Sequence, residues 1–564
     1  MAHSQLLGRI GTNYVPDAEE VAVLKSLVRI REDTIQSMDT RIQELKDELA
    51  SLNVQRARHI QAVEDYRALI SPIKQIPDDI LTNILLSLLP NLQTKNGPKM
   101  SSKHPAVVAS HVSRGWRSLA LGTPLLWSFI DVEIPINSYP FKWLEHVSRV
   151  QGYKDAVEAW ISRSAECPLA IRMVDRGFSL IEGSPSAVIK ARKEVVDAIL
   201  ACSGRWKCVC FNFRSVSEAT VDLFRLLEAT PLPLLESVDA ELFLSVVPRN
   251  VQPPMSVIAR RQTALTSGLF TAPTLRSLRL YGSWGHISPT QCPNTLTELT
   301  LDIAPTSFDQ PNYPSHILHI LRSSPNLIRC SFPVYDYDPR PVTEAGWEVV
   351  QMAHLEALEL HGFPPPLGFA SHLALPSLHT LIIRLREGPE DLGLDVADER
   401  VCELFRSLGG SLTSLVLYYE RLAQTTILHC LGSLQNLTHL RLVSIPAPYN
   451  HQSPERRDIL VMDRLSRRAD TGDSEWYCPK LEGLDIVIPV MDDTWEVALV
   501  ELVAARCQTA QPVGVARLSD VRVTLKEAWT GADIMIVQEL QERGVDTDNF
   551  NLEISESYDR LVSS

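Results

Sequence analysis

Cysteine is sparse in this chain: ten residues scattered over 564, with no Cys-x-x-Cys pair. That spacing excludes a disulfide framework and a zinc finger. Cys208 and Cys210 flank Val209 in WKCVCFNF, so a strand would place both sulfurs on one face, but no second pair of ligands lies nearby. Long apolar runs are also missing. None approaches the roughly 20 residues needed to cross a bilayer, and MAHSQLLGRIGTNYVPDAEE lacks a basic region followed by a long apolar core. A cytoplasmic or nuclear address, with no membrane partner, is expected. Positive charge is in deficit, with 54 Lys and Arg against 68 Asp and Glu and a formal net charge of −14. Such a field repels phosphate backbones, so no nucleic-acid partner is expected. No phosphate-cradling Gly-x-x-x-x-Gly-Lys loop, Gly-x-Gly-x-x-Gly, Gly-x-Ser-x-Gly or His-Glu-x-x-His occurs. The expectation is a non-enzyme with no catalytic residue, cofactor or metal. The sequon at Asn436 lies inside an apolar pattern and reads as chance.

What is present falls into three zones. In the first, Val21, Leu24, Val28, Ile35, Met38, Ile42, Leu45, Leu49 and Leu52 recur at steps of three and four. The same frame reaches Val63, Tyr66 and Ile70, broken by Arg31, Arg56 and His59. This is a heptad helix over 17–70 after a disordered 1–16, and about 50 residues of helix extend roughly 75 Å. One apolar stripe of that length needs a partner, either a second copy through residues 21–70 or another helix. In a parallel pair Arg41 would face Lys46, which repels, and Glu48 would face Asn53.

The second zone spans 71–132. Pro72 and Pro77 interrupt the heptad helix, and Pro77-Asp78-Asp79 suits the first turn of a new one. That helix carries Ile80, Leu81, Ile84, Leu85 and Leu88, a broad apolar face on barely three turns. After a polar stretch, Val108, Val112, Trp116 and Leu119 share one face of a second helix closed by Gly122, and Pro124 to Trp127 begin a short turn. About 60 residues seldom bury so much Leu, Ile and Trp alone.

Ile76-Pro77-Asp78-Asp79-Ile80-Leu81-x-x-Ile84-Leu85, then VSRGWRSLA at 112–120 and TPLLW at 123–127, together resemble the F-box in the form found in mushroom-forming fungi. The resemblance implies docking on the Skp-type adaptor of a cullin-RING ubiquitin ligase. By position it assigns the adaptor face to Ile76, Pro77, Ile80, Leu81, Ile84 and Leu85 of the first helix, Val112, Trp116 and Leu119 of the second, and Trp127. Two departures are Ser113, where the family has cysteine, and a long loop from Asn91 to His104.

The third zone, 155–564 after a linker at 133–154, is repetitive. Leu235, Leu275, Leu296, Leu327, Leu355, Leu378, Leu412, Leu437 and Leu481 each open a unit such as PTLRSLRL or QNLTHLRL, at spacings of 21 to 44 residues. Each unit alternates like a strand, and stretches such as HILHILRSS and ERVCELFRSL carry helical spacing. The pattern is that of an α/β leucine-rich-repeat-like solenoid. AWISRSAECPLAIRM and SGRWKCVCFNF read as earlier units, LSDVRVTL and NLEIS as final strands. Eight positions after each repeat leucine, regular repeats carry Asn or Cys; here stand Phe243, Ser283, Ala304, Tyr335, Phe363, Arg386, Glu420, Ile445 and Pro489. An irregular arc without an asparagine ladder is expected, and the acidic stretch 386–400 is expected to be a solvated excursion.

The fold class expected is therefore multi-domain: a long helix, a small all-α F-box and an irregular α/β solenoid. By alternation, Arg279, Tyr281, Glu359, His361, Arg384, Tyr418, Arg441 and Asp485, with Glu298, Asp302, Arg329 and His439, point away from the solenoid core. Mixed charge with a few aromatics suits a protein substrate. The expectation is a substrate-recognition subunit of a Skp-cullin-F-box ligase. The alternative is a non-ligase scaffold that uses the repeats for stable protein binding.

Overall fold

The computed structural model describes residues 8, 10–70, 72–89, 99–134, 143–175, 186–213, 230–242, 269, 272–282, 293–303, 313–334, 347–385, 394–419, 422–444, 456–466, 476–488, 494–507, 514–525, 532–547 and 550–555. The chain divides into two compact units, Met1–Ile84 and Leu85–Ser564.

The first unit is dominated by α1, Ala18–Leu69, a helix of 52 residues. It starts in a capping box: the Asp17 carboxylate accepts from the amides of Glu19 and Glu20 at 3.0 and 2.8 Å, and Glu20 accepts from the Asp17 amide at 3.2 Å. A 3-10 turn at Pro72–Gln75 follows, then α2, Asp78–Ser87, which opens on Asp78 and Asp79. Of the expected disordered stretch 1–16, residues 1–7 and 9 lie outside the described residues, and the others are turns and coil.

In the second unit the single helix expected over 105–122 is two. Ser113 is extended (φ −154, ψ 169) and separates α3, Pro105–Val112, from α4, Arg114–Gly122. Its hydroxyl accepts from the Trp116 amide at 3.2 Å, so the residue standing in for cysteine is the N-cap of α4. A 3-10 turn, Pro124–Trp127, leads without a break into β1, Phe129–Ile134.

β1 begins a 14-stranded sheet in which every neighbouring pair is parallel and the strands follow chain order. The strands after β1 are β2 Leu169–Asp175, β3 Trp206–Phe213, β4 Ser237–Leu242, β5 Ser277–Gly282, β6 Glu298–Ile303 and β7 Arg329–Val334. A two-stranded pair, β8 Val350–Gln351 and β10 Leu373–Ala374, stands beside the main sheet. The main sheet continues with β9 Ala357–Gly362, β11 Thr380–Leu385, β12 Ser414–Tyr418, β13 His439–Val443, β14 Gly483–Ile488, β15 Asp520–Leu525 and β16 Asn551–Ser555.

The crossover helices are α5 Trp143–Arg163, α6 Ser186–Leu200, α7 Tyr313–Ser323, α8 Leu394–Leu408, α9 Gln424–Gly432, α10 Arg457–Leu465, α11 Thr494–Cys507 and α12 Ala532–Glu542. Consecutive helices touch, α5 with α6 and each of α8 to α11 with the next. Sequential parallel strands joined by crossovers of one hand carry their helices on one face, which leaves the opposite face of the sheet as the open one. This arrangement is compatible with a solenoid-like α/β region.

Two boundaries move. The stretch expected to be a linker, 133–154, contains the end of β1 and the first half of α5, because Phe129, Ile130 and Val132 are buried strand residues that pair with β2. The acidic stretch 386–400 is not wholly an excursion: from Leu394 it is the start of α8, and residues 386–393 lie outside the described residues.

The repeat leucines form the spine. Leu235, Leu275, Leu296, Leu327, Leu355, Leu412, Leu437 and Leu481 are fully buried, and Leu378 is 1% exposed. Except at Leu355, the amide of each donates to the carbonyl three residues earlier, closing a tight turn that aims the next residues into the sheet. Burying one such side chain contributes about 1.5–3 kcal/mol. Gly362, at the end of β9, has φ +104, and a Cβ there would lie 2.5 Å from the Val334 carbonyl oxygen. Only glycine fits that approach of two strands.

Candidate functional site

The apolar face of α2 spans two stripes. Ile80, Ile84 and Leu88 recur at i, i+4 and are 47%, 42% and 59% exposed, while Leu81 and Leu85, one residue further round, are each 4% exposed. Pro77 is exposed and Ile76 half-buried. Leu81 and Leu85 are thus buried, because the apolar arc is wider than its exposed edge. On α3 and α4, Val108, Val112 and Leu121 are exposed, and Trp116 and Leu119 are half-buried.

Trp127 is also a core residue, 1% exposed. Its indole Nε1 donates to the Ala120 carbonyl at 2.7 Å, its ring meets Trp160 edge-on at 4.9 Å, and the Arg163 guanidinium lies 4.6 Å from its centroid. His104 completes this aromatic group and caps α3, its Nδ1 accepting from the Ala106 amide at 3.2 Å. Burial pushes the imidazole down to about 4.

On the sheet, strand register aligns the open-face residues into rows. One row runs Asp131, Arg172, Cys210, Asp239, Arg279, Thr300, Ser331, Glu359, Ile382, Val416, Arg441, Asp485, Arg522, Glu553. From β3 to β6 the next row runs Asn212, Glu241, Tyr281, Asp302, and from β9 to β13 it runs His361, Arg384, Tyr418, Val443. All eight residues expected on this face fall in these two rows. Cys208 and Cys210 lie on it too, either side of buried Val209.

Charges in the rows are largely paired across strands. Arg172 meets Asp131 at 2.7 Å, Arg279 meets Glu298 at 3.2 Å, Arg384 meets Glu359 at 2.9 Å and Arg441 meets Asp485 at 3.3 Å. Arg522 bridges Asp520 at 3.1 Å and Glu553 at 3.3 Å. The Arg384 guanidinium also lies 5.1 Å from the Tyr418 ring centroid. Burial pushes the Asp485 carboxyl up, and burial with nearby Asp239 pushes the Tyr281 hydroxyl up to about 12. His361 departs from expectation. Its side chain lies on this face but is only 7% exposed, with its Nε2 3.2 Å from Asp302. Beyond Tyr418 the outer row turns apolar, with Val443 and Val487 buried and Val416 and Tyr418 packed against them.

One set of residues escapes a reading confined to the asparagine position. The residue immediately before the repeat leucine bonds back to the preceding unit's turn. Thr274 donates to the Leu235 carbonyl at 2.9 Å, Thr295 to Leu275 at 2.7 Å, Asn326 to Asn294 at 2.8 Å, Ser377 to Ala353 at 2.6 Å and Asn436 to Gly410 at 2.7 Å. Lys480 extends the line by donating to the Asn436 side chain at 2.7 Å. The signal was legible: Thr, Asn or Ser precedes most repeat leucines. Among the described residues no group of three or more His, Cys, Asp or Glu is placed to hold a metal ion, and no helix is long and apolar enough to cross a membrane.

No protein-family model and no curated protein matches this chain.

Proposed function

We propose that this chain is a substrate receptor of a Skp-cullin-F-box ubiquitin ligase: residues 76–127 are the F-box, and the open face of the leucine-rich-repeat-like sheet binds a protein substrate. The observation that carries the reading is the uncovered stripe of α2, where Pro77, Ile80, Ile84 and Leu88 stand exposed. Three large apolar residues in line on three turns are a surface that water does not favour and a partner does. Pro77, Ile80 and Ile84 are among the residues that the F-box resemblance assigns to the adaptor face.

The sheet supports the second half of the reading. Its open face is a graded surface, paired charges flanking an aromatic and apolar strip, which matches a peptide able to exchange ion pairs and seat one or two anchors. The chain's role in ubiquitin transfer is then to raise the effective concentration of substrate lysines near the charged enzyme.

The test is co-expression with a fungal Skp-type adaptor, wild type against Pro77→Ala/Ile80→Asp/Ile84→Asp. These positions are exposed, so the triple variant keeps its fold by circular dichroism. One-to-one co-elution of the wild type and loss of the adaptor from the variant support the reading. Elution of the wild type alone overturns it. An adaptor complex that never captures a cullin assigns the chain to a non-ligase scaffold.

A further inference from the structure

We infer that α1 pairs with α1 of a second copy as an antiparallel two-stranded coiled coil, with Arg31 of each chain level with Arg56 of the other. This inference is independent of the adaptor reading.

The helix is single and bare. From Val28 to Leu52 its heptad core positions are roughly half to two-thirds exposed, among them Ile35 at 57%, Met38 at 61% and Leu49 at 62%. A helix of 52 residues with that stripe uncovered gains from a partner of equal length and the same period. A second copy supplies both.

Charge complementarity selects the orientation. Parallel and in register, Glu20 attracts Lys25 of the other chain but Arg41 repels its Lys46, and His59 faces itself. Antiparallel with Arg31 level with Arg56, Arg41 faces Glu48 and Asp39 faces Lys46, each twice by symmetry, with no like pair at the flanking positions. The cost is the two Arg31–Arg56 layers, but the parallel pair also stacks each of these arginines on its own copy, and their stems let the guanidinium reach water. Sliding the antiparallel pair by one heptad either sets Lys46 on Lys46 and Glu48 on Glu48, or Arg41 on Arg41 and Asp39 on Asp39. The chosen register therefore maximises attraction, and it places the Ile35, Met38 and Ile42 layers opposite Leu52, Leu49 and Leu45 in an unbroken apolar centre.

The two orientations predict opposite signs for one substitution. In full-length protein, R41E turns two attractive pairs into repulsive ones if the helices are antiparallel and removes two repulsions if they are parallel. Sedimentation equilibrium on wild type, R41E, E48R and R41E/E48R measures the dimer dissociation constant, and Arg41 and Glu48 are exposed, so the helix content is unchanged by circular dichroism. Expected are a wild-type dimer, about tenfold weakening for either single variant, and return of the double variant to within about threefold of wild type. A wild-type monomer at tens of micromolar, a larger assembly, or a tighter R41E dimer overturns the inference.

Discussion

At the scale of single residues, buried polar groups in this chain hold ends together. Arg506 is fully buried, and its guanidinium donates to the carbonyls of Leu465 at 2.9 Å, Cys478 at 3.1 Å and Tyr477 at 2.6 Å. Arg205, just before β3, does the same for an earlier unit, donating to the Cys167 and Ser164 carbonyls at 2.9 and 3.3 Å. Both gather the carbonyls of a helix end and the following turn on one guanidinium, adding to the amide bonds that Cys478 and Ser164 already accept. His104 also works by capping, and its protonation is costly. With the folded imidazole at about 4 and the unfolded one near 6.5, the unfolded chain binds the extra proton between those values. Stability from this group is therefore complete above about pH 6.5 and is lost as pH falls toward 4. Asparagine caps a helix without titrating there. Urea unfolding of His104→Asn against wild type should show the variant losing about 2 kcal/mol less stability between pH 7 and pH 5; equal losses would place the proton elsewhere.

At the scale of elements, one unit of the sheet is a turn, a buried leucine, a strand and a crossover, and the turns are tied to one another by the residue before the leucine. Asn326→Ala and Asn436→Ala should each cost about 1 kcal/mol in urea unfolding, because each leaves a carbonyl of the neighbouring turn without its donor. Asn326→Asp keeps the shape but loses the donor, so it should be no better than alanine; full stability of the alanine variants would show that the ladder is decoration. This tie was readable in the sequence, but the eighth position lies at the wrong end of the strand to reveal it. Strand positions were legible because period-2 alternation survives in units such as β5, β11 and β12, where half-buried and buried residues alternate. What alternation cannot supply is depth. His361 shares the face of Arg384 yet is buried, and Val443 and Val487 stand apolar where the rule expects polar side chains, because burial depends on elements distant in sequence. Likewise the pattern over 105–122 reads as one helix, and only the extended backbone at Ser113 divides it. In α2 the sequence marks the whole apolar arc but cannot say that Ile80 and Ile84 are its exposed edge and Leu81 and Leu85 its buried one.

At the scale of the whole second unit, the helical segment before the sheet is continuous with it. Trp127 packs on Trp160 of the first crossover, and β1 begins two residues later. In a parallel sheet whose strands follow chain order, each unit leans only on its neighbours, and the terminal units need caps of different composition. The segment from α3 to Trp127 is that cap at the N-terminal end. Only Ser128 separates Trp127 from β1, so a change in the cap acts directly on the first strands. Trp127→Ala should remove about 3–5 kcal/mol of local stability through the cavity and the lost Ala120 hydrogen bond. The loss should stay local. Hydrogen exchange should accelerate in β1 to β3 and remain at wild-type rates in β14 to β16, because the perturbation decays through successive neighbour interfaces. A uniform acceleration across all fourteen strands would show instead that the sheet unfolds as one cooperative body. In that case the cap would set the stability of the entire sheet, and every strand would report the same loss.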